Sequence, residues 1–147
     1  MIEDSEIVFL RTYKDFIYYF NMLESNMAYC LRYCFRVKQE NNSVEKWHKA
    51  SFDQKLKKIS MIAKKNIPKE QYETLFQKLG ECRQLRNVVV HGHWEWKDFL
   101  DEPIHYHAPE PFNKNGSLTV KAFQEHLSFL KETFQFFMDL RPAIEAQ

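Results

Sequence analysis

Residues 86–91 read Arg86-Asn87-Val88-Val89-Val90-His91, and Gly92 follows at once. An arginine offers a phosphate a forked pair of donors. A histidine carries a proton near neutral pH, and a carboxamide orients either partner. These are three of the side chains that cutting RNA without a metal would need. Arg83, Asn87 and His91 are four residues apart each time, so on a helix they stack in one row. Arg86 flanks that row, and its long arm can reach the row's end. This reading has the helix bury one face and present Arg83, Arg86, Asn87 and His91 on another.

The elements that must position these side chains are helical. Apolar residues at spacings of three and four from Val8 to Phe35 predict a first helix over about Ser5 to Lys38. It is either one long helix or two with a break near Asn21–Asn26, and the polar run Gln39–Ser43 ends it. Ser51-Phe52-Asp53-Gln54 has the form of a capping box, opening a second helix with an apolar stripe at Phe52, Leu56, Ile59, Ile62 and Ala63. Its lysines Lys57, Lys58, Lys64 and Lys65 form either a solvated face or a surface that attracts a phosphate backbone. Asn66-Ile67-Pro68 breaks the pattern, and a third helix runs from about Pro68 to His91 with Gly92 as its stop.

The stretch from His93 to Ser117 lacks helical period but holds Trp94, Trp96, Phe99, Tyr106 and Phe112, so it is expected to pack. Ile104-His105-Tyr106-His107 alternates like a short strand, and Asn115-Gly116 is a turn signal. A last helix is expected from near Thr119 to about Leu140, interrupted at Arg141-Pro142.

Composition narrows the class of function. The 147 residues are 44% hydrophobic and 28% charged, ordinary for a globular domain. Net charge is +1, so any RNA contact must come from a local patch and not from a polybasic surface. Cys30, Cys34 and Cys82 lie on helical patterns and read as reduced core residues of a cytoplasmic protein. The acidic N-terminus lacks a signal-peptide pattern, and no apolar run approaches a membrane span. His91 with His93, and His105 with His107, make two His-x-His pairs, but no cysteine or clear carboxylate ligand accompanies them, so no metal is expected.

Arg86-Asn87-Val88-Val89-Val90-His91 resembles the signature of the HEPN superfamily (higher eukaryotes and prokaryotes nucleotide-binding domains). That signature is an arginine, four to six residues and a histidine, often with Asn, Asp or His directly after the arginine, toward the end of a core helix in an all-α bundle. The resemblance covers about Gln77 to Trp96. It implies a metal-independent endoribonuclease in which two copies of the motif meet across a dimer interface. Arg86 would bind the scissile phosphate, Asn87 would orient, and His91 would be the acid or base. It also implies a toxin or antiviral defence role. Some members that pair with nucleotidyltransferase antitoxins carry a tyrosine two residues after the histidine; here that position is His93, a departure from their pattern.

Other readings of the same residues stand beside this one. Arg86 and Asn87 can cap or salt-bridge a helix surface, with His91 set against the helix C-terminal dipole. Arg83 either pairs with a carboxylate such as Glu81 or touches RNA, and Trp94 and Trp96 either pack or stack bases. The expectation is an all-α, single-domain helical bundle of four to five helices over residues 1–147, with an aromatic-rich irregular insertion before the last helix. Its catalytic residues would be Arg86, Asn87 and His91, and its RNA-binding residues Arg83, His93 and Trp94, with no cofactor. RNA, a second copy of the chain, and an antitoxin or regulatory protein are the expected partners. The runner-up is a non-catalytic HEPN-like module that binds a nucleotide or a protein; a structural dimerisation protein is a third reading.

Overall fold

The computed structural model describes residues 5–35, 43–91, 93–95, 104–108 and 114–146. Among them the fold is an all-α bundle of five helices: α1 (Ser5–Phe35), α2 (Ser43–Lys49), α3 (Phe52–Asn66), α4 (Lys69–His91) and α5 (Val120–Glu145). Three short strands, β1 (His93–Glu95), β2 (Ile104–Ala108) and β3 (Lys114–Leu118), fall between α4 and α5 in sequence. No described helix is long and apolar enough to cross a membrane.

Local chemistry explains most helix boundaries. α1 runs unbroken through Asn21–Asn26. Asn26 lies inside the helix; its amide donates to the Met22 carbonyl at 2.8 Å, and its Oδ1 accepts from Arg141 Nη1 at 3.0 Å. Ser51 caps α3 reciprocally: Gln54 N–H donates to Ser51 Oγ at 3.2 Å, and Ser51 N–H donates to Gln54 Oε1 at 3.0 Å. Ile67 closes that helix through its N–H to the Ala63 carbonyl, and the Pro68 carbonyl accepts from Gln71 and Tyr72 as α4 begins. Thr119 caps α5, its Oγ1 accepting from Ala122 N–H at 3.0 Å.

Three elements differ from the sequence reading. α2 has seven residues, too few for a helical period to register, and Trp47 is its described apolar anchor. The Trp47 ring stacks on Phe35 with centroids 5.5 Å apart. α5 does not stop at Arg141-Pro142 but continues to Glu145. Pro142 removes one N–H close to the helix end, where the loss is one bond in a fraying turn. Buried Ile144 and the Arg141–Glu145 ion pair hold that last turn in place. Asn115-Gly116 is not a turn: both residues lie inside β3.

The three strands form an antiparallel sheet in the order β1-β2-β3. Trp94 pairs with Tyr106, and Tyr106 pairs with Gly116. A Cβ at residue 116 would sit 2.5 Å from the Tyr106 hydroxyl, so glycine is the residue that lets the tyrosine ring lie across its neighbour. Trp96, Phe99 and Phe112, expected to pack, lie outside the described residues, as does the expected stop at Gly92.

The chain divides into two compact units. One takes α1 up to Phe20 together with Cys82–Glu132. Its core holds Phe9, Phe16, Phe20, Val89, Phe123 and Leu130, and Phe123 meets Phe9 and Phe16 at 5.6 and 5.7 Å between tilted rings. The other takes Asn21–Glu81 and the residues from Thr133 on. Its core holds Leu23, Met27, Leu31, Ile59, Leu75, Leu79 and Phe137. Lys55 is 3% exposed there, and its Nζ donates to Glu24 Oε1 at 2.9 Å.

Cys30, Cys34 and Cys82 are buried and form no disulfide. The hydrogen bond between Cys30 and Cys34, joined by burial, pushes the Cys30 thiol far above its ordinary range and keeps it protonated.

Candidate active site

The last turns of α4 carry the motif. A continuous helix over Lys69–His91 places Arg83, Asn87 and His91 in one row, as their spacing requires. Arg83, Arg86 and Asn87 are each half-buried. His91 is the final residue of α4; its side chain, and those of His93 and Trp94 in β1, lie outside what is described. The backbone register sets His93 opposite His107 and Trp94 opposite Tyr106.

Arg86 differs from the expected arrangement. It lies four residues after Cys82 and three before Val89, both buried, so it belongs to the core-facing side of α4 and not to a separate exposed face. A guanidinium survives there because it rests on an aromatic ring: Arg86 Cζ lies 5.6 Å from the centroid of Phe20, itself 2% exposed. That contact contributes about 1 kcal/mol at a half-buried site. No carboxylate pairs with Arg86 among the described residues, and Asn87 makes no side-chain hydrogen bond within them.

A half-buried guanidinium without an anion is an unfinished interaction. Its planar fork rests against Phe20 and has no carboxylate partner among the described residues, and such a fork matches the geometry of an oxyanion. Sequence reasoning identified Arg86 but not its platform, because Phe20 lies 66 residues away on α1 and reads simply as a core position. His126 lies on α5 in the same compact unit. It is half-buried, and burial lowers its proton affinity below the ordinary histidine value, against the opposing pull of Glu125. No three His, Cys, Asp or Glu side chains are grouped for a metal ion among the described residues.

No family model, no curated protein and no solved structure matches the chain, so a functional reading rests on the motif and on the geometry around Arg86.

Proposed function

We propose that this chain is a HEPN-like, metal-independent endoribonuclease acting as a homodimer, with a toxin or antiviral defence role. The observation that carries the reading is the half-buried guanidinium of Arg86, held on Phe20 with no carboxylate partner among the described residues. A structural arginine in such a place ordinarily has an anion beside it. An arginine that binds phosphate leaves that position for its substrate.

In the proposed reaction the RNA 2′-hydroxyl attacks the adjacent phosphorus. A base takes the hydroxyl proton, the bond from phosphorus to the 5′-oxygen breaks, and an acid protonates the departing oxygen. The products are a 2′,3′-cyclic phosphate and a 5′-hydroxyl. Arg86 stabilises the charge that builds on the non-bridging oxygens, and His91 moves a proton. One histidine does not readily serve as acid and base in a single event, and a two-fold interface supplies the second motif. Asn87 orients, while Arg83, His93 and Trp94 contact the RNA strand.

End-group analysis of cleaved RNA tests the reaction: cyclic phosphate and 5′-hydroxyl ends are expected, and 3′-hydroxyl ends would overturn it. Light scattering at micromolar concentration tests the assembly. Roughly twice the 17.8 kDa chain mass is expected; a strict monomer that still cuts RNA would remove the composite site. Phosphate binding without cleavage would leave the non-catalytic module as the function.

A further inference from the structure

An open cleft of about 280 Å³ lies in the unit that does not hold Arg86, lined among the described residues by Tyr29, Arg32, Tyr33 and Arg141. α1 supplies Tyr29, Arg32 and Tyr33, whose spacings of three and four set them along one side of that helix. α5 supplies Arg141. The two arginines are prepared differently. Arg141 is held in place: its Nε donates to Glu145 Oε1 and its Nη1 to Asn26 Oδ1 at 3.0 Å, which leaves Nη2 without a partner among the described residues. Its side chain is 22% exposed. Arg32 is exposed and makes neither a hydrogen bond nor an ion pair among the described residues. Two guanidiniums against the Glu145 carboxylate leave one positive charge in excess among them. Tyr29 and Tyr33 are 46% and 43% exposed, and the Tyr29 ring is steadied edge-on by His48 with centroids 4.9 Å apart.

We infer that this cleft binds the phosphate monoester group of a small molecule that carries a flat ring. The donors select the group. One guanidinium fork satisfies a carboxylate, whereas a phosphate monoester presents three oxygens and close to two negative charges, enough to engage two guanidiniums at once. Asn26 and Glu145 fix Arg141 before a ligand arrives, which lowers the ordering cost of that contact. Arg32 brings a second fork with no carboxylate to displace among the described residues. The tyrosines select the rest of the molecule, since a half-exposed phenol offers a planar group its ring and a phosphate oxygen its hydroxyl. The volume lies just below the roughly 300 Å³ at which ordinary ligand pockets begin, a size for a small molecule and not for a length of RNA or peptide. The cleft shares no residue with the proposed ribonuclease site, so its binding stands whether or not the chain cuts RNA.

The probe is phenyl phosphate, titrated into the full chain at about 0.15 M salt, where exposed charges are largely screened and only a shaped site retains an anion. Calorimetry and the ring signals of tyrosine-labelled protein follow it. Phenyl phosphate is expected to bind with a Kd of roughly 0.1–1 mM and to move the Tyr29 and Tyr33 signals. Benzoate, which keeps the ring and one charge, should bind at least about tenfold more weakly, and inorganic phosphate, which lacks the ring, several-fold more weakly. Arg32→Ala should weaken phenyl phosphate by about tenfold with unchanged helix content by circular dichroism, and Arg32→Lys should fall between it and the parent, because lysine keeps the charge and loses the fork. No binding at about 10 mM, benzoate equal to phenyl phosphate, or full affinity in Arg32→Ala would overturn the inference. So would a phosphotyrosine peptide that binds about tenfold more tightly than phenyl phosphate, which would give the cleft to a protein partner.

Discussion

Replacing Arg86 by methionine separates the two roles an arginine can have in this position. Methionine keeps an unbranched apolar chain against Phe20 and removes the charge. The cation–π contact at 5.6 Å contributes about 1 kcal/mol at a half-buried site, and the substitution loses it. It also ends the desolvation of a guanidinium that has no carboxylate beside it among the described residues, a relief of similar order. The two changes oppose each other, so Arg86→Met should unfold within ~1 kcal/mol of the parent. In urea, at a slope of roughly 2 kcal/mol per molar, the midpoint then moves by about 0.5 M or less. Cleavage should fall at least a hundredfold, about 2.7 kcal/mol of lost transition-state stabilisation. A fall in stability beyond ~3 kcal/mol would mean that Arg86 anchors an ion pair and is structural. Undiminished cleavage would refute its role on the phosphate.

Two further predictions concern the fold. Glu24→Ala should destabilise the protein by about 2–4 kcal/mol in chemical denaturation, because it strands the buried ammonium of Lys55, whereas Lys55→Met should stay within ~1 kcal/mol of the parent; equal losses would show that charge pairing is not what Glu24 contributes. Because burial lowers the proton affinity of His126 in the folded state, the unfolded chain binds the extra proton first. Stability from this residue is therefore full above the ordinary value of 6.5 and is lost as pH falls below it. The variant His126→Gln should flatten that part of the thermal-unfolding profile between pH 7.5 and 5.5, and an unchanged slope would show that the acid sensitivity lies elsewhere.

The parts of the fold legible in the sequence are those written in local chemistry. The Ser51–Gln54 capping box, the Pro68 entry to α4, the Thr119 cap and the row of Arg83, Asn87 and His91 all depend on neighbours within a few residues. What escaped depends on distant partners. Lys55 has the spelling of a surface lysine and is buried because Glu24 waits 31 residues earlier. Asn115-Gly116 spells a turn, but pairing with Tyr106 and His107 makes it strand. Pro142 spells a stop, but Ile144 is buried and its carbonyl accepts from Asn66 Nδ2 at 2.7 Å, a partner 78 residues earlier. The site divides the same way. Its motif lies on one helix and is readable, while the ring under Arg86 comes from α1 and the core-facing position of Arg86 emerges only once α4 is packed.

Cleavage of a labelled RNA by the purified chain in excess EDTA decides whether it is a metal-independent ribonuclease, with the parent compared against Arg86→Ala and His91→Ala. The expected result is metal-independent cutting by the parent and at least a hundredfold slower cutting by each variant, both still folded. Cutting that EDTA abolishes, or variants that cut as fast as the parent, would contradict it.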